Sequence, residues 1–240
     1  MAYWTCVSGQ RVISFSLWGS DPKYIEGALR NADLAPTVYS GWRLRFHCAA
    51  SVPGEAINRL SALSHVEVIP HLEPGDWRSM FWRFEDTADP HFEVVLCRDA
   101  DSRLNLREKS AVVAWLETGS RFHVMRDHPR HNIPMLGGMW GARVPSMANL
   151  KSLIAKWEPQ DRWGTDQDFL TTVLAPVASK DWTEHDPYFA KKRFPTRRRG
   201  REFVGQPFDV SDRPLIMGPT EIEATLRRWL GPFLKRWKRA

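Results

Sequence analysis

Two carboxylates two residues apart, Asp99 and Asp101, follow directly on the apolar run Val94-Val95-Leu96-Cys97 and the single Arg98. The run reads as a buried strand, and in a chain still extended at its end the period of two puts both acids on one side. Two neighbouring acids repel unless something cationic stands between them. A hard divalent ion serves, because Mg²⁺ typically takes one or two carboxylates and completes its shell with phosphate oxygens. The plain alternative is a solvated Asp-rich turn with Arg98 and Arg103 as ion-pair partners.

The preceding chain sets where this pair lies. Val12 to Leu17, Trp42 to Ala49, Val66 to Ile69 and Phe92 to Cys97 read as strands. Between them, Asp21 caps a helix with Pro22 at its first position, running to about Ala32. Pro53 to Leu63 and the aromatic-heavy Trp77 to Glu85 supply two more helices. Strands alternating with helices predict an α/β fold, a mostly parallel sheet covered on both faces. Such sheets bind ligands beyond the carboxyl ends of their strands, the edge on which the acid pair falls.

Further on come a helix at Leu106 to Leu116 and a strand at Phe122 to Met125. After them lie the glycine-rich Leu136-Gly137-Gly138-Met139-Trp140-Gly141, a helix from Ser146 to about Trp157, and Thr165-Asp166-Gln167-Asp168 opening another to about Leu174. The glycines fit either a bulge or a close backbone approach to a ligand. Thr165 and Asp168 have the spacing of a capping box, so one of the two acids there is explained as a cap.

In this order and spacing the segments resemble nucleotide-sugar glycosyltransferases of the GT-A fold. Asp99 and Asp101 look like their DxD element, and Gly137 to Gly141 like the strand and loop that approach the donor sugar. Thr165 to Asp168 resembles the Asp-Gln-Asp segment of the glycogenin and galactosyltransferase-like branch. The stretch from Arg98 to Gly141, with Phe122-His123-Val124-Met125-Arg126-Asp127-His128-Pro129, is also similar to bacterial and viral glycosyltransferase-like proteins.

The resemblance covers roughly residues 10 to 190 and implies a GT-A-like (Rossmann-related) catalytic domain over residues 1–190. It implies a UDP- or GDP-sugar donor bordered by Phe15, Arg98, Asp99, Asp101, Gly137 and Gly138. Mn²⁺ or Mg²⁺ would be held by Asp99, Asp101 and the late His185, an imidazole that leans the choice toward Mn²⁺. Asp166 and Asp168 become the catalytic candidates, with Asp168 expected to orient substrate and retention favoured over inversion. The acceptor, whether glycan, lipid-linked glycan or protein, is left open. Two other readings remain beside it: a phosphatase of the haloacid dehalogenase type and a non-enzymatic basic nucleic-acid-binding protein.

The net charge of +6 is unevenly spread. From Lys191 onward there are 14 Lys/Arg against 5 Asp/Glu, leaving 20 against 23 before it. The body is mildly acidic, which argues against a nucleic-acid reading face. Residues 191–240 read as a basic loop, Lys191 to Arg201, and an amphipathic helix, Glu221 to Trp237, packed on the same domain. The helix sets Ile222, Leu226, Trp229, Leu230, Phe233 and Trp237 opposite basic residues. A peripheral membrane contact at the inner surface is its alternative. His123, Asp127, His128 and His131 fit no standard zinc spacing. Three scattered cysteines, no secretory layout and no long apolar run predict reduced thiols and a cytoplasmic location.

Overall fold

The computed structural model describes residues 9–144 and 146–215; the expected helix at Glu221 to Trp237 lies outside them. A single seven-stranded sheet organises these residues. Its strands are β1 (Gln10–Leu17), β2 (Arg43–Cys48), β3 (Val66–Pro70), β4 (Phe92–Arg98), β5 (Phe122–Met125), β6 (Met139–Arg143) and β7 (Trp182–His185), in the order β3-β2-β1-β4-β6-β5-β7. β1 runs parallel to β2 and β4, β2 to β3, and β5 to β7. Only β6 is antiparallel to its neighbours, β4 and β5. The helices α1 (Pro22–Val38), α2 (Gly54–Ser61), α3 (Trp82–Glu85), α4 (Leu106–Thr118), α5 (Leu150–Trp157) and α6 (Thr165–Phe169) cover the sheet.

Both faces of the central strands are buried, as a parallel sheet requires. Ile13, Phe15, Leu17, Leu44, Phe46, Val94 and Leu96 enter one core with α1, α2 and α4. Val12, Val95, Cys97, Phe122, Val124 and Trp140 enter the other with Phe84 and Phe169. On that second face β1 also carries Ser14 and Ser16, small enough for α3 to lie close. Ser16 Oγ accepts the backbone N–H of Arg83 at 3.1 Å, and Cys97 Sγ donates to the Arg83 carbonyl at 3.4 Å. Two strands thus fix the backbone of one arginine.

α1 extends six residues beyond the expected end, past Pro36, and its length has a use. Asn31 in its middle is fully buried; its Nδ2 donates to the carbonyls of Ala100 and Ser102 at 3.3 and 2.8 Å, and its Oδ1 accepts from Leu104 N–H at 2.9 Å. Gly27 lets the same helix touch this turn, since a Cβ there would collide with the Ala100 carbonyl. Cys48 and Cys97 are buried free thiols, and burial pushes both up, Cys48 to about 12, so they stay protonated.

Replacing Asn31 by Leu strands the buried Leu104 N–H, at a cost of about 1–3 kcal/mol, and leaves the Ala100 and Ser102 carbonyls with Arg103 Nη1 alone. Urea denaturation of Asn31→Leu is expected to show a loss of at least about 1 kcal/mol with an unchanged slope. A loss within about 0.5 kcal/mol of zero would mean that water replaces the side chain.

Candidate functional site

The carboxyl ends of β1 and β4 open into a cleft of ≈ 480 Å³. The strand stops at Arg98, and Asp99 to Ser102 form a turn closed by Ser102 N–H to the Asp99 carbonyl at 3.2 Å. Asp99 and Asp101 therefore meet through a turn clamped by Asn31, not through strand alternation. Both line the cleft, together with Asp166, Gly137, Asp21 and Arg83.

Arg83 is the centre of the arrangement. Its side chain is 1 % exposed, and it donates to Asp99 Oδ1 and to Asp166 Oδ2, both at 2.8 Å. The glycine run makes room for this bridge. A Cβ on Gly138 would collide with the Asp99 carboxylate, and one on Gly137 with Asp166 and Arg83. Asp101 accepts from Lys23 Nζ at 3.0 Å. Asp166 stands at the start of α6, where helical N–H groups favour its charged form.

Burial, with neighbouring Asp99, pushes Asp101 above the ordinary carboxylate value against the pull of Lys23. Burial pushes Asp166 up as well, with Arg83 opposing and Asp99 adding to the rise. Four carboxylates (Asp21, Asp99, Asp101 and Asp166) thus face two cations, Arg83 and Lys23. A diphosphate alone would meet net negative charge there. A divalent cation would reverse the sign.

The donor set fits such an ion sparingly. Arg83 and Lys23 engage one oxygen each of Asp99 and Asp101, and among the described residues no group of three or more His, Cys, Asp or Glu converges as metal ligands. Two carboxylates completed by substrate phosphates are a common Mg²⁺ arrangement. His185 does not join them. It ends β7 at the far edge of the sheet, where its Nδ1 bonds His123 Nε2 at 2.9 Å. The leaning toward Mn²⁺ loses its basis with it.

Three other expected contacts are placed elsewhere. Phe15 is fully buried and stacks on Phe46 at 4.7 Å, because its position in β1 faces the α1 side of the sheet. Arg98 turns inward, pairing with Glu108 at 2.7 Å, an oxygen shared with the Tyr39 hydroxyl at 2.8 Å. Asp168 does not line the cleft; it is half-exposed and paired with Arg162, whereas Asp166, two residues earlier, does line it. The helix begins at Gly164 with no side-chain cap, so the expected capping box is not formed.

Several lining residues went unnoticed in the sequence, Trp18, Tyr24, Trp77 and the largely exposed Trp163, and His131, weighed there only as a zinc ligand, lines the cleft too. Trp18 and Trp77 meet edge to face at 5.3 Å. His131 accepts the Asp127 N–H on Nδ1 at 3.2 Å, which leaves its proton on Nε2. The segment after the basic loop also belongs to the site: Gly205 lines the cleft, and Phe208 N–H donates to the Asp101 carbonyl at 2.8 Å. Arg83 itself carried a signal, a lone cation among Phe81, Trp82 and Phe84.

No protein family matches the chain, and no curated protein matches it. Among solved structures it is similar to a glycosyltransferase involved in the glycosylation of the major capsid of PBCV-1. That match has TM-score 0.50 and 15 % identity, covering 75 % of this chain and 82 % of that one. Two others are matched below that level. The mannosyltransferase PcManGT from Pyrobaculum calidifontis gives TM-score 0.46 and 16 % identity, over 59 % of this chain and 46 % of that one. S. aureus TarS gives TM-score 0.49 and 13 % identity, over 77 % and 59 %. The chain has a glycosyltransferase fold of the GT-A-like type, a sheet with helices on both faces.

The buried histidines set an acid limit on this structure. Burial, with like charge nearby, holds His131 and His185 down to about 4, and burial holds His123 well below its ordinary value. In the unfolded chain each titrates near about 6.5, so acid protonates the unfolded state first. Stability is therefore lost as pH falls from about 6.5 toward 4, by about 2 kcal/mol at pH 5 for each of His131 and His185. Melting curves at pH 7.5 and pH 5 should show a lower midpoint in acid. An equal or higher midpoint at pH 5 would contradict neutral burial.

Proposed function

We propose that the protein transfers a sugar from a nucleoside-diphosphate sugar to a hydroxyl acceptor, with a divalent ion at Asp99 and Asp101. The observation that carries this reading is the Arg83 bridge, which sets Asp99 and Asp166 in one negatively charged cleft of a glycosyltransferase fold. When bound, the ion would act as a Lewis acid on the charge that grows on the leaving diphosphate, worth several kcal/mol. The chain's own residues do the rest.

Trp18, Tyr24 and Trp77 offer ring faces to a nucleobase. Arg83, held by two carboxylates, keeps Asp99 in a fixed orientation and opposes the burial that raises Asp166. Asp166, with one oxygen on Arg83, presents the other to a sugar or acceptor hydroxyl as a hydrogen-bond acceptor. Gly137 keeps the place where Asp166 and Arg83 meet free of a side chain. His131, neutral and protonated on Nε2, adds a donor without adding charge.

Calorimetry with UDP and GDP, each with and without Mn²⁺ or Mg²⁺, tests the reading. Binding of one nucleotide is expected, and only with an ion present. Asp101→Ala and Gly138→Ala are both expected to weaken it at least about tenfold, the second by displacing Asp99. Equal binding with and without ions, or an Asp101→Ala variant that binds like the parent, would overturn the proposal.

A further inference from the structure

The basic stretch from Lys191 to Arg201, which in sequence reads equally as a mobile loop, is fastened at both ends. At one end Asp186, wholly buried, accepts Arg126 Nε at 2.7 Å and the backbone N–H groups of Tyr188, Phe189 and Ala190 at 2.9 to 3.0 Å. The same residue exchanges backbone hydrogen bonds with Lys192. At the other end Asp127, also wholly buried, takes Arg107 on both oxygens at 2.8 and 2.9 Å, Arg198 at 3.1 Å and Val204 N–H at 3.0 Å. Between them Phe194 is buried against Met125, Met139 and Val204. The result is a strap with a set course.

This strap concentrates charge. It holds seven Lys/Arg and no acid, and all but Arg198 are exposed. Arg193, Arg197 and Arg198 line an open groove with Arg107 and Tyr188. The buried Asp127 is consumed by Arg107 and Arg198, so it leaves Arg193 and Arg197 uncompensated. Neither makes an ion pair among the described residues. Like charges fixed together repel, and a fold that holds them in place is matched to an anion outside itself.

We propose that the strap docks the protein on an anionic phospholipid surface. Guanidinium groups match phosphate geometry. The exposed cations extend along the strap well beyond the groove, more than a single free phosphate would engage. Phe189, half-exposed beside them, offers a ring to the headgroup region. Beyond residue 215 the sequence to Ala240 carries a further six Lys/Arg spaced among apolar residues, a pattern compatible with docking on its own domain or with an anionic surface. The proposal does not depend on the chemistry of the cleft.

Co-sedimentation of the full chain with phosphatidylcholine vesicles, with and without phosphatidylserine, tests it. Binding is expected only to the serine-containing vesicles and to fall in high salt. The double variant Arg193→Glu with Arg197→Glu should bind at least about tenfold more weakly at an unchanged melting temperature, as expected from several basic residues near an anionic surface. Equal binding to both vesicle types, or a double variant that binds like the parent, would overturn the proposal. Binding to free pyrophosphate or oligouridine, with none to vesicles, would overturn it in favour of a soluble anion or RNA.

Discussion

A guanidinium almost fully removed from water must be paired, because an isolated buried charge costs several kcal/mol. Arg83 meets this requirement with two carboxylates, and each comes from a different part of the chain: Asp99 after β4, and Asp166 at the start of α6. The pairing therefore joins the first half of the sheet to the helical segment that follows β6. Everything else in the cleft adjusts to it. Ser14 and Ser16 are small so that α3 can come close, and Gly137 and Gly138 lack side chains where the two acids pass.

The same logic shapes the periphery of the site. Asn31 spends all its hydrogen-bonding groups on the turn that carries Asp101, and Lys23, one helical stretch earlier, meets the carboxylate itself. From the other side, the segment around Phe208 reaches back to the Asp101 carbonyl. The turn is thus held by two separated pieces of chain, α1 and the segment around Phe208. Such preorganisation holds Asp99 on Arg83 and Asp101 on Lys23 at one turn, and burial first, then the nearby Asp99 carboxylate, raises Asp101 and Asp166 above the ordinary carboxylate value.

Local signals carried the first half of the fold well. The apolar runs of β1 and β4, the alternation in β2 and the Asp21-Pro22 helix start are all nearest-neighbour patterns, and each element lies where its pattern says. The antiparallel insertion of β6 between β4 and β5 is a long-range choice that no local pattern encodes. Side-chain direction was the weaker inference. Phe15, Arg98 and His185 have suitable chemistry but point into the core, and Asp168 differs from Asp166 only by where two residues of helix turn it. Arg83 was the reverse case, an unremarked residue in an aromatic helix whose importance appears only when both partners are in view.

The most direct test of this account is chemical denaturation of Arg83→Met beside a triple variant that adds Asp99→Asn and Asp166→Asn. If the bridge holds the site together, Arg83→Met leaves two carboxylates facing each other and loses about 3–5 kcal/mol. Removing both charges should then restore most of that loss. An Arg83→Met variant within about 1 kcal/mol of the parent, or losses that simply add in the triple variant, would show that the cleft does not hang on this arginine.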